Sequence, residues 1–259
     1  MDLTCDVLIV GAGLAGLNSA INLDKNLKII ILSNDKLHKC NSYLAQGGIT
    51  TVNDDNDKKS FIEDTLRAGA FENNIDAVTL VSENAQEAIN KLIELGVPFN
   101  KDENGNLKYT KEAAHSINRI LYSDDSSGKA IWETLRDEAF KRDNIEILTE
   151  TTLVDIIVKD NQVFGGVALK DSSKINIYAK STILASGGIG GVFRNSTNFE
   201  NIQGIGISLA LKHNIKLKDL KYIQLHPTAF HSKCERRKFL ISESLRGEGA
   251  KLIDDEGNR

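Results

Sequence analysis

Asp6-Val7-Leu8-Ile9-Val10-Gly11-Ala12-Gly13-Leu14-Ala15-Gly16-Leu17 is the stretch on which the reading of the chain turns. Val7 to Val10 is a short apolar run with the length and β-branched content of a buried parallel strand. It passes into Gly11-x-Gly13-x-x-Gly16 and then into a helical pattern through Leu17, Ala20, Ile21 and Leu23. Gly11 permits a tight turn out of the strand, Gly13 lets the backbone approach a pyrophosphate, and Gly16 lets the helix pack close to the strand. The helix N-terminus then points free N–H groups at the anion. A second apolar run, Leu27 to Leu32, follows at the distance of the next parallel strand and completes a βαβ unit. This context favours a dinucleotide site over a structural glycine turn.

The glycines do not say which dinucleotide. Such sites often carry an acidic residue for the ribose at the end of the second strand. Here Ser33-Asn34 stands there and Asp35 comes one step later. The ribose contact is therefore expected from neutral hydrogen-bonding groups, with Asp35 a solvated turn residue.

The 259 residues are 41% hydrophobic, enough for one large α/β domain or a domain and a half. With 32 basic and 36 acidic side chains the net charge is −4, which argues against nucleic acid or an anionic membrane as partner. No apolar run reaches the length of a membrane span, and the chain enters its first strand at once, so neither an anchor nor a signal peptide is expected. Cys5, Cys40 and Cys234 are scattered without CxxC spacing, which points to the reducing cytoplasm and to no metal or disulfide frame. Lys251 to Arg259 reads as a strand entering a turn whose return strand is absent, and a fragment is expected.

Between these ends, His38 to Ile49 is small, polar and glycine-ending. Such a loop can lay backbone N–H groups along a planar ring, or be a surface loop. Asn53 to Lys59 reads as a solvated acidic loop and Ser60 to Ala70 as a helix. Asp76 to Leu95 reads as an amphipathic helix with Val81, Ala85, Ala88, Ile89 and Leu92 on one face. Lys111 to Arg119 places Glu112, His115 and Arg119 together, as a charged pocket or as a surface loop. Lys129 to Lys141 is a helix with Trp132 in the core. Ile145–Leu148, Leu153–Val158, Val163–Leu169 and Ile175–Ala179 are expected to form an antiparallel meander turning at Asp160-Asn161 and Asp171-Ser172-Ser173. Ser181 to Leu184 is a further buried strand, ending in the second glycine-rich exit Ala185-Ser186-Gly187-Gly188. Two such exits suggest one large two-part ligand. Gln203 to Asn214 reads as a helix, and Tyr222 to Thr228 as a strand-like run ending in a polar turn. Glu243 and Arg246 would share a face of a helical turn, where a carboxylate and a guanidinium could pass protons.

Taken in order, Gly11-Ala12-Gly13-Leu14-Ala15-Gly16, Tyr43-Leu44-Ala45-Gln46-Gly47-Gly48, Leu184-Ala185-Ser186-Gly187-Gly188, Leu225-His226-Pro227-Thr228 and Ser242-Glu243-Ser244-Leu245-Arg246-Gly247-Glu248-Gly249 resemble the fumarate reductase, succinate dehydrogenase and L-aspartate oxidase flavoproteins. The resemblance covers essentially the whole chain. It implies an α/β fold: a Rossmann-like FAD-binding domain with a central parallel sheet, an antiparallel β-meander and the start of an α+β capping domain. Residues 1–229 would be the FAD-binding domain without its C-terminal return segment, and 230–259 the first part of the cap.

The cofactor implied is FAD. Carried over residue by residue, its contacts would be Gly11, Ala12, Gly13, Leu14, Ala15 and Gly16, then Asn34, then Asn41, Ser42, Tyr43, Leu44, Ala45, Gln46, Gly47 and Gly48, then Val154, and finally Ala185, Ser186 and Gly187. Family members that bind FAD covalently do so through a histidine a few residues before the Ala-Gln-Gly-Gly run. Asn41 stands there and His38 is out of register, so non-covalent FAD is expected.

Glu112-Ala113-Ala114-His115-Ser116-x-x-Arg119-Ile120-Leu121 is similar to the L-aspartate oxidase version of its segment, in which the glutamate faces the substrate ammonium. A carboxylate suits an amino acid's cation and suits succinate poorly. The resemblance therefore implies oxidation of L-aspartate to iminoaspartate, with O2 or fumarate as acceptor, in the aspartate route to quinolinate and NAD. A link to quinolinate synthase would follow from that route. His226 and Ser242 would hold substrate carboxylates, and Glu243, Arg246 and His226 would be the catalytic groups. The alternatives are a soluble fumarate reductase with non-covalent FAD, or an inactive flavin-binding fragment. The chain departs from the family at Gly204-Ile205-Gly206, where an acidic residue usually contacts FAD, and at Ser242, usually threonine. The capping arginine is expected beyond Arg259, so residues 1–259 alone are expected to be inactive.

Overall fold

The computed structural model spans residues 1–259 and describes all of them except Ala113, Pro227, Glu243, Ser244, Arg246, Gly247 and Glu248. Packing divides the chain into two units, residues 1–44 with 132–240 and residues 45–131 with 241–259. This partition differs from the 229/230 boundary that the resemblance implies.

The first unit is built on one six-stranded mixed sheet. Strand β1 (Asp2–Val10) leads through the glycine turn into helix α1 (Leu14–Asn22) and on to β2 (Ile29–Leu32). Helix α2 (Ser127–Phe140), which begins in the second unit, precedes β3 (Ile145–Leu148), β4 (Thr151–Lys159), β5 (Gln162–Lys170) and β6 (Ser173–Leu184), and helix α3 (Ile205–Lys212) follows. The sheet order is β3-β2-β1-β6-β5-β4. β3, β2, β1 and β6 run parallel, which explains why β1 and β2 are apolar on both faces. Leu8, Val10, Ile30 and Leu32 form one core with Leu153, Ile156, Ala168, Ile175, Ile177, Ala179 and Leu209.

The meander differs from expectation in two ways. Ile145–Leu148 is not its first strand but the outermost parallel one, pairing Ile29 with Ile145 and Leu32 with Leu148. And Ile175–Ala179 and Ser181–Leu184 are one strand, β6. Its first half, Ser173 to Tyr178, pairs antiparallel with β5, while the pairing parallel to β1 starts at Asn176, opposite Asp2, and runs through the second half down to Leu184, opposite Val10. No glycine or proline separates the two halves, so nothing ends the strand. The hairpin turns lie where the sequence places them. Asp160 and Asn161 (φ 49° and 60°) and Asp171 and Ser172 (φ 49° and 61°) take the left-handed pairs that match strand twist. Leu184 is 46% exposed, so the strand end is not buried. Tyr222 to His226 forms no strand; only Ala229–Phe230 pairs, with Phe239–Leu240.

In the second unit, helices Asp57–Ala68 and Ile75–Glu94 pack together beside short antiparallel strands at Ile49–Thr50, Tyr109–Thr110 and Ile120–Leu121. The buried stripe of the longer helix is Val78, Ser82, Ile89 and Leu92, whereas Val81 is 58% exposed. Ile89 and Leu92 lie on the packing face as expected, but toward the helix start the face runs through Ser82 and Val78 and not through Val81. The expected solvated loop before Ser60 is also corrected: Asp57 starts the helix and is buried. Arg119 is fully buried between Asp57 (Nη2–Oδ1 2.7 Å) and Asp64 (Nη1–Oδ2 2.6 Å) and also donates to Ser60 Oγ. It is neither a pocket group nor a solvated charge. The terminal run turns at Asp254–Gly257 but contains no strand.

Candidate functional site

The register aligns Val10 with both Leu32 and Leu184, so β1, β2 and β6 of the first unit end together. Open parallel sheets bind ligands beyond these carboxyl ends. A cavity of about 450 Å³ opens there, of small-molecule size. Gly11, Ala12, Gly13, Leu14, Ala15, Asn34, Asn41, Ser42, Ala185, Ser186 and Gly187 all line it. Candidates from four chain-distant segments thus line one cavity.

Two glycines explain the geometry. Gly11 has φ +116°, and a Cβ there would sit 2.2 Å from the Ala185 carbonyl oxygen, so the two glycine-rich exits meet backbone to backbone. Gly16 does not line the cavity. A Cβ on it would lie 1.8 Å from the Gly11 carbonyl oxygen, which shows that its part is close helix–strand packing. Gly13 is the N-cap of α1 and offers no capping side chain, so first-turn N–H groups remain for an anion. One of them, Leu14 N–H, donates to Ser42 Oγ at 3.1 Å. Trp132, 1% exposed, braces the loop from behind: its Nε1–H donates to the Ala12 carbonyl at 2.8 Å, and Tyr43 meets its ring edge-on at 5.3 Å. Tyr43 and Leu44 do not line the cavity.

Other lining residues had no motif to announce them. Thr151, Thr152 and Leu153 line the wall while Val154 does not; the ladder of β4 shifts register between Leu153 and Asp155, which takes Val154 out of line. Asn201, Gln203, Ile205 and Ser208 also line it, from the loop and helix after the second glycine exit. Of these, Ile205 alone had a sequence signal, as the departure within Gly204-Ile205-Gly206. Among the described lining residues there is no Asp or Glu, and Lys39 is the one formal charge. Glycine backbone, a helix N-terminus, hydroxyls and amides suit a ligand that carries phosphates and sugar hydroxyls.

The second unit holds Ala45, Gln46, Gly47, Gly48, Glu112 and Ser242. The Glu112 carboxylate lies against Gly47: a Cβ on Gly47 would come within 2.9 Å of Glu112 Oε1. The His115 N–H donates to the Glu112 carbonyl at 3.0 Å, and burial, then the Arg119 charge, lowers the pKa of His115. Gln46 Oε1 is buried with no hydrogen-bond partner among the described residues. Ser242 is buried, and its hydroxyl donates to Asp125 Oδ1 at 2.7 Å. His226 belongs to the first unit, where its Nδ1 accepts the Thr228 N–H at 3.2 Å. Glu243 and Arg246 lie outside the described residues.

A parallel sheet with a glycine-lined cavity at its carboxyl edge defines the class, a Rossmann-like dinucleotide-binding domain. Residues 6–259 match the FAD binding domain family, and the chain belongs to it. Among curated proteins it is 51% identical to the L-aspartate oxidase of Clostridium perfringens and 48% identical to that of Clostridium acetobutylicum, over 100% of this chain in both cases. It spans 59% and 60% of the length of those two relatives. Among solved structures it resembles E. coli quinol fumarate reductase FrdA with a TM-score of 0.93 and 28% identity, over 99% of this chain and 44% of that one. No described helix is long and apolar enough to cross a membrane.

Proposed function

We propose that this chain is the cofactor-holding part of an FAD-dependent enzyme that oxidises L-aspartate to iminoaspartate, with O2 or fumarate as final acceptor, at the entry to quinolinate and NAD synthesis. The observation that supports it best is the Glu112 carboxylate laid against Gly47, within the loop read as facing a planar ring. The relatives named L-aspartate oxidase support the same substrate.

Bound FAD would supply the two-electron acceptor. The chain's own residues would do the rest. Gly11 to Ala15 and the α1 N-terminus would hold the pyrophosphate, and Asn34 the ribose. Asn41, an amide hydrogen-bonded to Asn198 Oδ1, offers no nucleophile, so the cofactor would be held non-covalently. Ala185 to Gly187 and the loop from Ala45 through Gly48 would make the remaining contacts, with Tyr43, Leu44 and Val154 behind the cavity-lining residues. Glu112 would pair with the substrate ammonium, while His226 and Ser242, turned from Asp125, would hold its carboxylates. Glu243 and Arg246 would pass protons for fumarate reduction. In this reading residues 1–229 are the FAD-binding domain and 230–259 begin the cap. The setting would be the cytoplasm, which suits the three free cysteines, with quinolinate synthase as pathway partner.

The test is Glu112→Gln in a polypeptide of the length its relatives have. Aspartate kcat/KM should fall about 100-fold, the scale of a lost charge pair in a site, with fumarate reduction within about threefold. Equal loss of both activities would favour a fumarate reductase. For residues 1–259 alone, a flavin absorbance band on reconstitution is expected; a colourless protein would count against the FAD contacts.

A further inference from the structure

We infer that Asn201 is a cofactor-binding residue whose side-chain oxygen accepts a hydroxyl of the adenosine ribose, in place of the acidic residue that strand-end sites often use. This rests on the reading that the cavity takes the adenosine half of FAD. The Asn201 Nδ2 group donates to Asn34 Oδ1 at 3.0 Å and to the Lys39 carbonyl at 3.0 Å, and Asn34 Nδ2 donates back to the Asn201 carbonyl at 2.8 Å. Two acceptors on one side fix the amide orientation, because a flipped side chain would set oxygen against oxygen. The oxygen is therefore the atom left over. Asn201 lines the cavity, and its Oδ1 is buried and has no hydrogen-bond partner among the described residues. A buried acceptor without a donor is costly and unusual, so its pairing is expected from the ligand.

Position names the donor. Asn34 follows β2 by two residues, where a βαβ site meets the adenosine ribose, and Asn201 is hydrogen-bonded directly to it. An acceptor there selects a hydroxyl and disfavours a phosphate, which has no proton to give. No described carboxylate lines the cavity to compete, and Ile205 is apolar. The Asn34–Asn201 pair thus brings a neutral acceptor to the place an acid would occupy.

Titration calorimetry on residues 1–259 with ADP, 2′-deoxy-ADP and 3′-deoxy-ADP isolates the contact. The unmodified chain should bind one deoxy analogue about tenfold more weakly than ADP, the scale of one buried hydrogen bond. In Asn201→Leu, ADP and that analogue should bind within twofold of each other, and FAD should weaken about tenfold. Asn201→Ser serves if the leucine variant does not fold, and the ratio in the unmodified chain stands on its own. Equal binding of ADP and both analogues by the unmodified chain, or discrimination surviving in the variants, overturns the inference while leaving FAD as ligand. A chain that takes up neither FAD nor ADP overturns the cofactor reading itself, and this inference with it.

Discussion

The cavity of the first unit and the Arg119 knot of the second both gather polar groups, and they are built in opposite ways. The cavity wall carries one formal charge among its described residues, Lys39, and is incomplete: its polar groups are glycine backbone, amides and hydroxyls, with Asn201 Oδ1 unpaired. The knot is charged and complete. Arg119 reaches two carboxylates, and Asp64 Oδ2 also accepts the Ser116 N–H at 2.8 Å and hydroxyl at 2.7 Å. A full set of bonds leaves nothing for a ligand, so this density of charge is architecture. It ties the Glu112–Arg119 segment to the helix Asp57–Ala68. An interior that binds something must hold capacity open. Sequence shows the charges of the knot more loudly than the amides of the cavity, which is why density of ionisable residues misleads.

The largest test breaks the knot. Arg119→Met leaves two buried carboxylates without their cation and should cost about 3–5 kcal/mol in urea unfolding. Replacing Arg119, Asp57 and Asp64 together by apolar residues should cost less than Arg119→Met alone, because no charge is then stranded. A loss below about 1 kcal/mol for the single change would show that the cluster is not a closed unit. Next in size is Gly11→Ala. It puts a Cβ 2.2 Å from the Ala185 carbonyl at φ +116°, and should cost about 2–3 kcal/mol and abolish FAD uptake. Normal FAD binding by this variant would separate the two glycine exits from the cofactor.

Acid sharpens the contrast. Burial alone would raise the Asp64 carboxyl; the Ser116 N–H and hydroxyl, and then Arg119, outweigh it and hold the pKa down at about 2. The folded value lies below the ordinary 3.8, so the stabilisation is full above 3.8 and is lost as pH falls toward about 2. The loss should amount to about 2 kcal/mol across that window, and Asp64→Asn should flatten the slope. FAD affinity should not follow it, since no described lining residue is a carboxylate. A parallel fall in affinity and stability would mean that the two regions are coupled.

The sequence showed most where backbone chemistry is local. The βαβ glycines, the Asp160-Asn161 and Asp171-Ser172 turns and the second exit at Ala185 to Gly188 are short motifs with one physical solution. It failed where partners are distant. Nothing near Arg119 announces Asp57 and Asp64, more than fifty residues earlier. Ile145–Leu148 reads equally well as a meander strand or a parallel one until its neighbour β2 is known. Asn201 acquires its meaning only from Asn34, 167 residues before it. Ser82 hid the N-terminal half of a packing face that Ile89 and Leu92 marked correctly, because pattern reading follows apolar residues, and a small hydroxyl can be buried among them.

The smallest expected effect probes the held-open capacity directly. Ser42 Oγ accepts the Leu14 N–H at the start of α1, one of the amides a pyrophosphate would use. Ser42→Ala removes that acceptor and should destabilise the FAD-free chain by about 0.5–1 kcal/mol, the scale of a lost N-terminal helix bond. With saturating FAD the gap should narrow, because the anion takes over the amide that the hydroxyl had satisfied. Thermal unfolding of both proteins with and without FAD reads the difference. A gap that stays constant would mean that Ser42 belongs with the closed architecture of the knot rather than with the open wall of the cavity.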